Sequence, residues 1–190
     1  MPRRPGGAAL TAIGQALAEL HRTLADLAVP HMVIGGLANA LWGVPRATLD
    51  IDLTLWVEEP VIPDFVRSLC SRFTCLTEDP ERFVQQTRVL PVDVAGVKAD
   101  LIFGLLPFER EAIGRAVSHD VEGESVPFCT AEDLLLHKIV SDRERDRDDV
   151  RGILRVRRGK LDLGYLEPRV RELSRLLDRP ALWDDYLAWR

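Results

Sequence analysis

Between Arg46 and Leu55 the chain alternates without a break. Arg46, Thr48, Asp50, Asp52 and Thr54 are polar, while Ala47, Leu49, Ile51, Leu53 and Leu55 are apolar. Successive side chains of a strand point to opposite faces, so residues 46–57 are expected to form a strand with one buried and one polar face. Asp50 and Asp52 then share a face, about 6.6 Å apart along the strand. Burying even one unpaired carboxylate is costly. Two on one face can converge on a divalent cation, and magnesium is typically held by one or two carboxylates together with substrate phosphates. An Asp-x-Asp pair alone fits a half-exposed edge strand with two solvated aspartates better.

The surroundings of this strand add to the pattern. Upstream, "HMVIGG" reads as a short buried strand ending in Gly35-Gly36, and "LANALWG" as a helix broken by Gly43 and Pro45. Paired glycines between a strand and a helix let backbone N–H groups approach a phosphate with no Cβ in the way. Downstream, "TRVLPVDVAGVKADLIFGLL" reads as a hairpin turning at Ala95-Gly96. Its second arm carries Asp100 in apolar surroundings, with only Lys98 on the same face to pair it locally. A metal shared with Asp50 and Asp52 is the expected partner of Asp100. Asp93 is the second candidate, with the look of a solvated hairpin arm.

The rest of the chain supplies scaffold. Leu10, Ile13, Leu17, Leu20, Leu24 and Leu27 mark one side of a helix over residues 10–28. Arg3 and Arg4 precede this stretch, but Gln15, Glu19 and His21 interrupt it at helical spacing, so it reads as amphipathic rather than as a signal peptide. "PVIPDFVRSLCSRF" and "PFEREAIGRAV" read as helices, "HDVEGESVPFCT" as a turn with a short strand, and Thr130 as the cap of a helix beginning "TAEDLLLHKIV". From there to Arg190 the pattern is helical. The expected fold class is α/β (α+β): a small mixed sheet flanked by helices over residues 1–128, then a helical portion over 129–190 packed on it.

Composition narrows the function. A formal charge of −5 gives no reason to expect tight non-specific nucleic-acid binding. No apolar run approaches the length of a membrane span. Cys70, Cys75 and Cys129 are odd in number and lack a Cys-x-x-Cys pair, which argues for free thiols in a cytoplasmic protein.

"GGLANALWGVPRATLDIDL" and "TAEDLLLHKIVSDRERDRDDVRGIL" together resemble the DNA polymerase beta-type nucleotidyltransferase superfamily, and within it the AbiEii-type toxin nucleotidyltransferases. The resemblance runs from about residue 30 to residue 155. Thirteen residues separate Gly36 from Asp50, about one helical turn more than in many members of the superfamily. It implies that Gly35 and Gly36 bear on a nucleoside triphosphate, that Asp50 and Asp52 bind magnesium (or manganese), and that Asp100 completes the metal site and helps activate an acceptor hydroxyl. The implied reaction moves a nucleoside monophosphate onto RNA, tRNA included, or onto protein. The implied setting is a toxin–antitoxin or phage-defence pair with an antitoxin partner and no membrane. Such transfers ask the protein mainly for positioning and charge neutralisation. The competing reading is a catalytically weak nucleotide- or RNA-binding module on the same scaffold.

Other residues carry two readings each. Arg46 and Thr48 share the polar face; Arg46 either contacts phosphate or neutralises the aspartates. Lys138 is either a phosphate-binding lysine in a cleft between the two portions or the surface partner of Asp142. Asp146 and Asp149 match the resemblance and equally fit a solvated charged face. His137 reads as a packed or surface histidine. Trp183, Tyr186 and Trp189 follow helical spacing and read as core or as an interface with an antitoxin or a second copy.

Overall fold

A computed structural model of the chain describes residues 6–190, with side chains from Thr11 onward. Arg3, Arg4 and the side chain of Leu10 lie outside the described residues. The chain divides into two compact units: Met1–Leu37 with Ala47–Phe128, and Ala38–Arg46 with Cys129–Arg190.

The first unit opens with helix α1 (Gly6–Asp26), strand β1 (His31–Val33) and the start of helix α2 (Gly35–Trp42). Strand β2 (Ile51–Leu55), a 3₁₀ turn (Glu59–Val61), α3 (Ile62–Cys70), β3 (Thr74–Cys75), α4 (Pro80–Thr87) and β4 (Val89–Val94) follow. The unit closes with β5 (Val97–Phe103), α5 (Pro107–Arg115), β6 (Val117–Val121) and β7 (Glu124–Phe128). These strands form one mixed sheet in the order β3-β4-β5-β2-β1-β7-β6. The central strand β2 runs antiparallel to β1 and parallel to β5. Helix α1 buries Ile13, Leu17, Leu20 and Leu24, the stripe its periodicity marks. The β4–β5 hairpin turns at Ala95 and Gly96, both at positive φ (51° and 85°), as a two-residue hairpin turn requires. Asp93 Oδ1 accepts the Gly96 N–H at 2.9 Å, so this carboxylate serves the turn.

Four sequence expectations change here. The strand expected over 46–57 is regular only from Ile51 to Leu55, so Arg46, Thr48 and Asp50 precede it. A strand extends as far as its neighbours pair it, and β1 covers only Leu53–Leu55 while β5 pairs β2 from Ile51 onward. The alternation of faces also fails at both ends: Leu49 is 73% exposed, and Thr54, on the polar side, is fully buried. The segment "HDVEGESVPFCT" holds most of a complete hairpin, β6–β7, turning at Glu122 and Gly123 (φ 52° and 85°). Finally, Cys70 and Cys75 form a disulfide, with Cα atoms 5.6 Å apart, and only Cys129 is a free, buried thiol. Five residues of separation let the chain reverse between α3 and β3, which counting cysteines could not reveal. The argument from free thiols to a reducing compartment loses its premise. Among the described residues no helix is long and apolar enough to cross a membrane.

The second unit is helical: the latter part of α2, then α6 (Ala131–Ile139), α7 (Glu144–Val156), α8 (Leu163–Leu176) and α9 (Ala181–Trp189). Thr130 caps α6 by accepting the Asp133 N–H at 3.1 Å, and its hydroxyl donates to Asp133 Oδ2 at 2.6 Å. The Tyr165 hydroxyl donates to the other oxygen of this buried carboxylate at 2.5 Å, tying α8 to α6. Residues 38–46 belong here because Trp42 Nε1 donates to the Cys129 carbonyl at 2.7 Å and Val44 packs against Gly152. Tyr186 is buried and stacks on Trp183, which places this aromatic pair in the packing of the unit.

Candidate active site

Parallel pairing of β2 with β5 sets Asp52 directly opposite Asp100. Two carboxylates thereby meet on one face of adjacent strands, about 4.8 Å apart along the hydrogen-bonding direction. The backbone locks this placement, since Ile34 N–H donates to the Asp52 carbonyl at 2.9 Å. The next residue, Gly35, has φ +64°, and a Cβ built there would stand 1.9 Å from Asp52 Oδ2. No side chain fits between the backbone of residue 35 and that carboxylate. A Cβ on Gly36 would fall 2.6 Å from Thr48 Oγ1. The glycine pair therefore lies against Asp52 and Thr48, at the first turn of α2, where backbone N–H groups lack helical acceptors. Thr48 Oγ1 in turn donates to the Asp50 carbonyl at 3.3 Å, and Asp50 itself is exposed.

Lys98 joins the carboxylates. Its ammonium donates to Asp100 Oδ2 at 2.8 Å. The bond to Asp100, opposed by partial burial, and the charges of Asp100, Asp50 and Asp52 hold the amine above the usual lysine range. All three aspartates expected from sequence thus act on one cation. The donor set, carboxylate oxygens without imidazole or thiolate, suits a hard divalent ion such as magnesium. Among the described residues no group of three or more His, Cys, Asp or Glu side chains is arranged as a metal cage; Asp100 is bonded to Lys98.

Two residues picked for phosphate binding sit in a different environment, within the second unit. Lys138 Nζ reaches Asp146 Oδ1 at 2.9 Å and Asp149 Oδ2 at 2.7 Å, and Arg46 grips Asp149 through Nε and Nη2, both at 3.0 Å. Lys138, Asp146 and Asp149 are each 6% exposed or less. Burial pushes the Asp146 carboxyl up, but bonds from Lys138, Ser141 and Arg143 outweigh it and hold the group at about 2. Burial likewise raises Asp149, and Arg46 with Lys138 reverses the shift downward. Of the two readings of the "SDRERDRDD" run, the solvated face does not describe Asp146 or Asp149. The signal for their burial was their three-residue spacing, which puts both on one side of α7. Arg46, 103 residues away in sequence, was invisible as their partner.

A scan against protein-family models finds no match for this chain, and a search of curated proteins finds none. Solved structures do match. An antigenic nucleotidyltransferase-like protein from Paracoccidioides brasiliensis superposes with a TM-score of 0.55 at 18% identity, covering 95% of this chain and 93% of that one. The solution structure of the antibiotic-resistance factor ANT(2'')-Ia gives 0.57 at 14% identity, covering 90% and 97%. The same factor in complex with adenylyl-2''-tobramycin gives 0.51 at 18% identity, covering 93% and 98%. The fold is that of nucleotidyltransferase-like proteins. The mixed sheet with flanking helices expected from sequence is thus present, on a scaffold shared across nearly the whole chain.

Proposed function

We propose that this chain is a magnesium-dependent nucleotidyltransferase that moves a nucleoside monophosphate from a nucleoside triphosphate to an acceptor hydroxyl. The observation that carries this reading is the juxtaposition of Asp52, Asp100 and Gly35: two carboxylates in register, closed against a glycine whose Cβ would collide with Asp52. Asp50, Asp52 and Asp100 would hold the metal, which when bound neutralises triphosphate charge and favours departure of pyrophosphate. The first-turn amides at Gly35 and Gly36 receive the phosphates, and Thr48 buttresses Gly36. Asp100 takes the proton of the acceptor hydroxyl as its oxygen bonds to the α-phosphorus and the bond to pyrophosphate breaks. The similarity to AbiEii-type toxins supports RNA, tRNA included, or protein as acceptor, in a toxin–antitoxin setting. A small hydroxylated antibiotic is the second reading, favoured by the likeness to a structure solved with adenylyl-2''-tobramycin.

The test is transfer of label from each of the four α-labelled triphosphates to total RNA, to protein and to aminoglycosides. Wild-type protein should label one of these with one preferred nucleotide, and Asp52→Asn and Asp100→Asn should not. Label absent from every acceptor, or surviving in both variants, overturns the enzymatic reading in favour of a binding module.

A further inference from the structure

Lys98 lies on the carboxylate face. Lys98 and Asp100 are two residues apart on β5 and share a face, and Asp100 is paired with Asp52 while Ile51 is paired with Ala99. Asp50 directly precedes the first paired residue of β2, and its charge acts on Lys98 with those of Asp52 and Asp100. On the other side of β5, antiparallel β4 pairs Asp93 with Lys98 and Pro91 with Asp100. Lys98 thus faces acidic residues from both neighbouring strands, and its nitrogen is bonded to Asp100 Oδ2 at 2.8 Å. Asp93 is engaged in the hairpin turn. The side chain of Lys98 is 46% exposed, against 24% for Asp100. The ammonium is therefore free to leave along a flexible stem, whereas the carboxylate is held by its strand.

We infer that Lys98 is a tethered counter-cation that occupies Asp100 until nucleotide arrives, so that divalent metal and nucleoside triphosphate load together. A metal ion entering alone must displace the ammonium from Asp100 and then bear its repulsion. When the triphosphate enters as well, the displaced ammonium gains an anion to pair with, and the obstacle becomes a phosphate contact. Lys98 is a positioning residue in this scheme, acting on the metal through Asp100. The inference rests on the nucleotidyltransferase reading and names a regulation of that same site.

The test is a titration with manganese, following free ion by electron paramagnetic resonance, with and without a non-hydrolysable α,β-methylene triphosphate. Wild-type protein should bind manganese weakly alone and at least tenfold more tightly with the nucleotide. Lys98→Met keeps the stem and removes the charge. It should bind manganese about tenfold more tightly than wild type without nucleotide, the size expected from removing one nearby like charge in a partly solvated site. The gain from nucleotide should shrink correspondingly. Circular dichroism melts in EDTA establish that the variant is folded, and Lys98→Arg, which restores the charge, should restore the coupling. Equal or weaker manganese binding by folded Lys98→Met without nucleotide overturns the inference while leaving the enzymatic reading intact. If wild type fails to bind manganese even with nucleotide, while Asp52→Asn behaves identically, the metal-dependent reading falls and this inference with it.

Discussion

The chain builds two clusters from the same residue types, and they differ in exposure. Within the second unit, Lys138, Arg46 and Arg143 are bonded to the buried Asp146 and Asp149 at 2.7–3.0 Å, three cations for two anions. On the β2–β5 face of the first unit, Lys98 is bonded to Asp100 and feels the charges of Asp50 and Asp52, and both Lys98 and Asp50 are exposed. A buried ionic group is stable only when its partners are supplied by the fold. The buried cluster meets that condition within the chain. The exposed one leaves Lys98 and Asp50 open to solvent and to any ligand that enters. A lysine beside two aspartates therefore means different things in the two places, and burial separates scaffold from candidate site.

The comparison breaks most sharply at Asp52. Asp52→Asn should lower nucleotidyl transfer by about 10³-fold or more, as losing several kcal/mol of metal-mediated stabilisation implies. The loss of transfer should far exceed any loss of stability, read from melting temperatures beside the kinetics. A loss of stability as large as the loss of transfer would show that Asp52 serves the scaffold. Lys138→Met should behave the other way. Removing the buried ammonium that Asp146 and Asp149 share should cost about 3–5 kcal/mol in urea unfolding. A loss below about 1 kcal/mol, the range of exposed ion pairs, would show that the buried cluster is not structural.

Smaller effects sharpen the contrast. Gly35→Ala forces an L-residue into the left-handed region, costing about 1–2 kcal/mol, and drives its Cβ into Asp52 Oδ2. Transfer activity should fall more steeply than stability, measured by parallel kinetics and melts. The acid limb of stability should come from the buried cluster. The Asp146 carboxyl lies at about 2 in the folded chain against its usual 3.8, so the unfolded chain binds more protons between those values. Its contribution is complete above about pH 4 and lost as pH falls towards 2, and Asp146→Asn should flatten that limb in urea titrations.

The smallest expected effect lies near neutral pH. His31 is buried, its Nδ1 is 2.7 Å from the Val29 carbonyl, and its Nε2 is 2.9 Å from His21 Nδ1. With the His31 proton on Nδ1, Nε2 accepts from His21. Burial chiefly, opposed by the bond to Val29 and aided by the charge of His21, keeps His31 below its usual 6.5. The unfolded chain protonates first, so stability should decline as pH falls below about 6.5, with a slope that His31→Leu removes.

Much of this was written locally. Period-two alternation located β2, and the positive-φ turn at Ala95-Gly96 located the β4–β5 hairpin. Thr130 with Asp133 marked the start of α6, because caps and turns are satisfied by residues a few positions away. Asp50, Asp52, Asp100 and the glycine pair were picked for the same reason: a charge inside an apolar run and a glycine between elements are anomalies visible within ten residues. Elements without a strong period, β3 and α4, left no such trace. Thr54 looked like a member of the polar face and is buried, since alternation says which side a residue faces but not what covers that side.

The sequence by itself therefore determined most of the helices and strands, and which carboxylates stand inside apolar runs. The tertiary structure alone decided which partners they receive: Asp100 beside Asp52 through parallel pairing of strands far apart in sequence, Arg46 on Asp149 across 103 positions, and Cys70 bonded to Cys75 by a local chain reversal. The physical reason is that the cost of a buried or clustered charge is local to its residue, while its neutralisation depends on distances that only the folded chain sets.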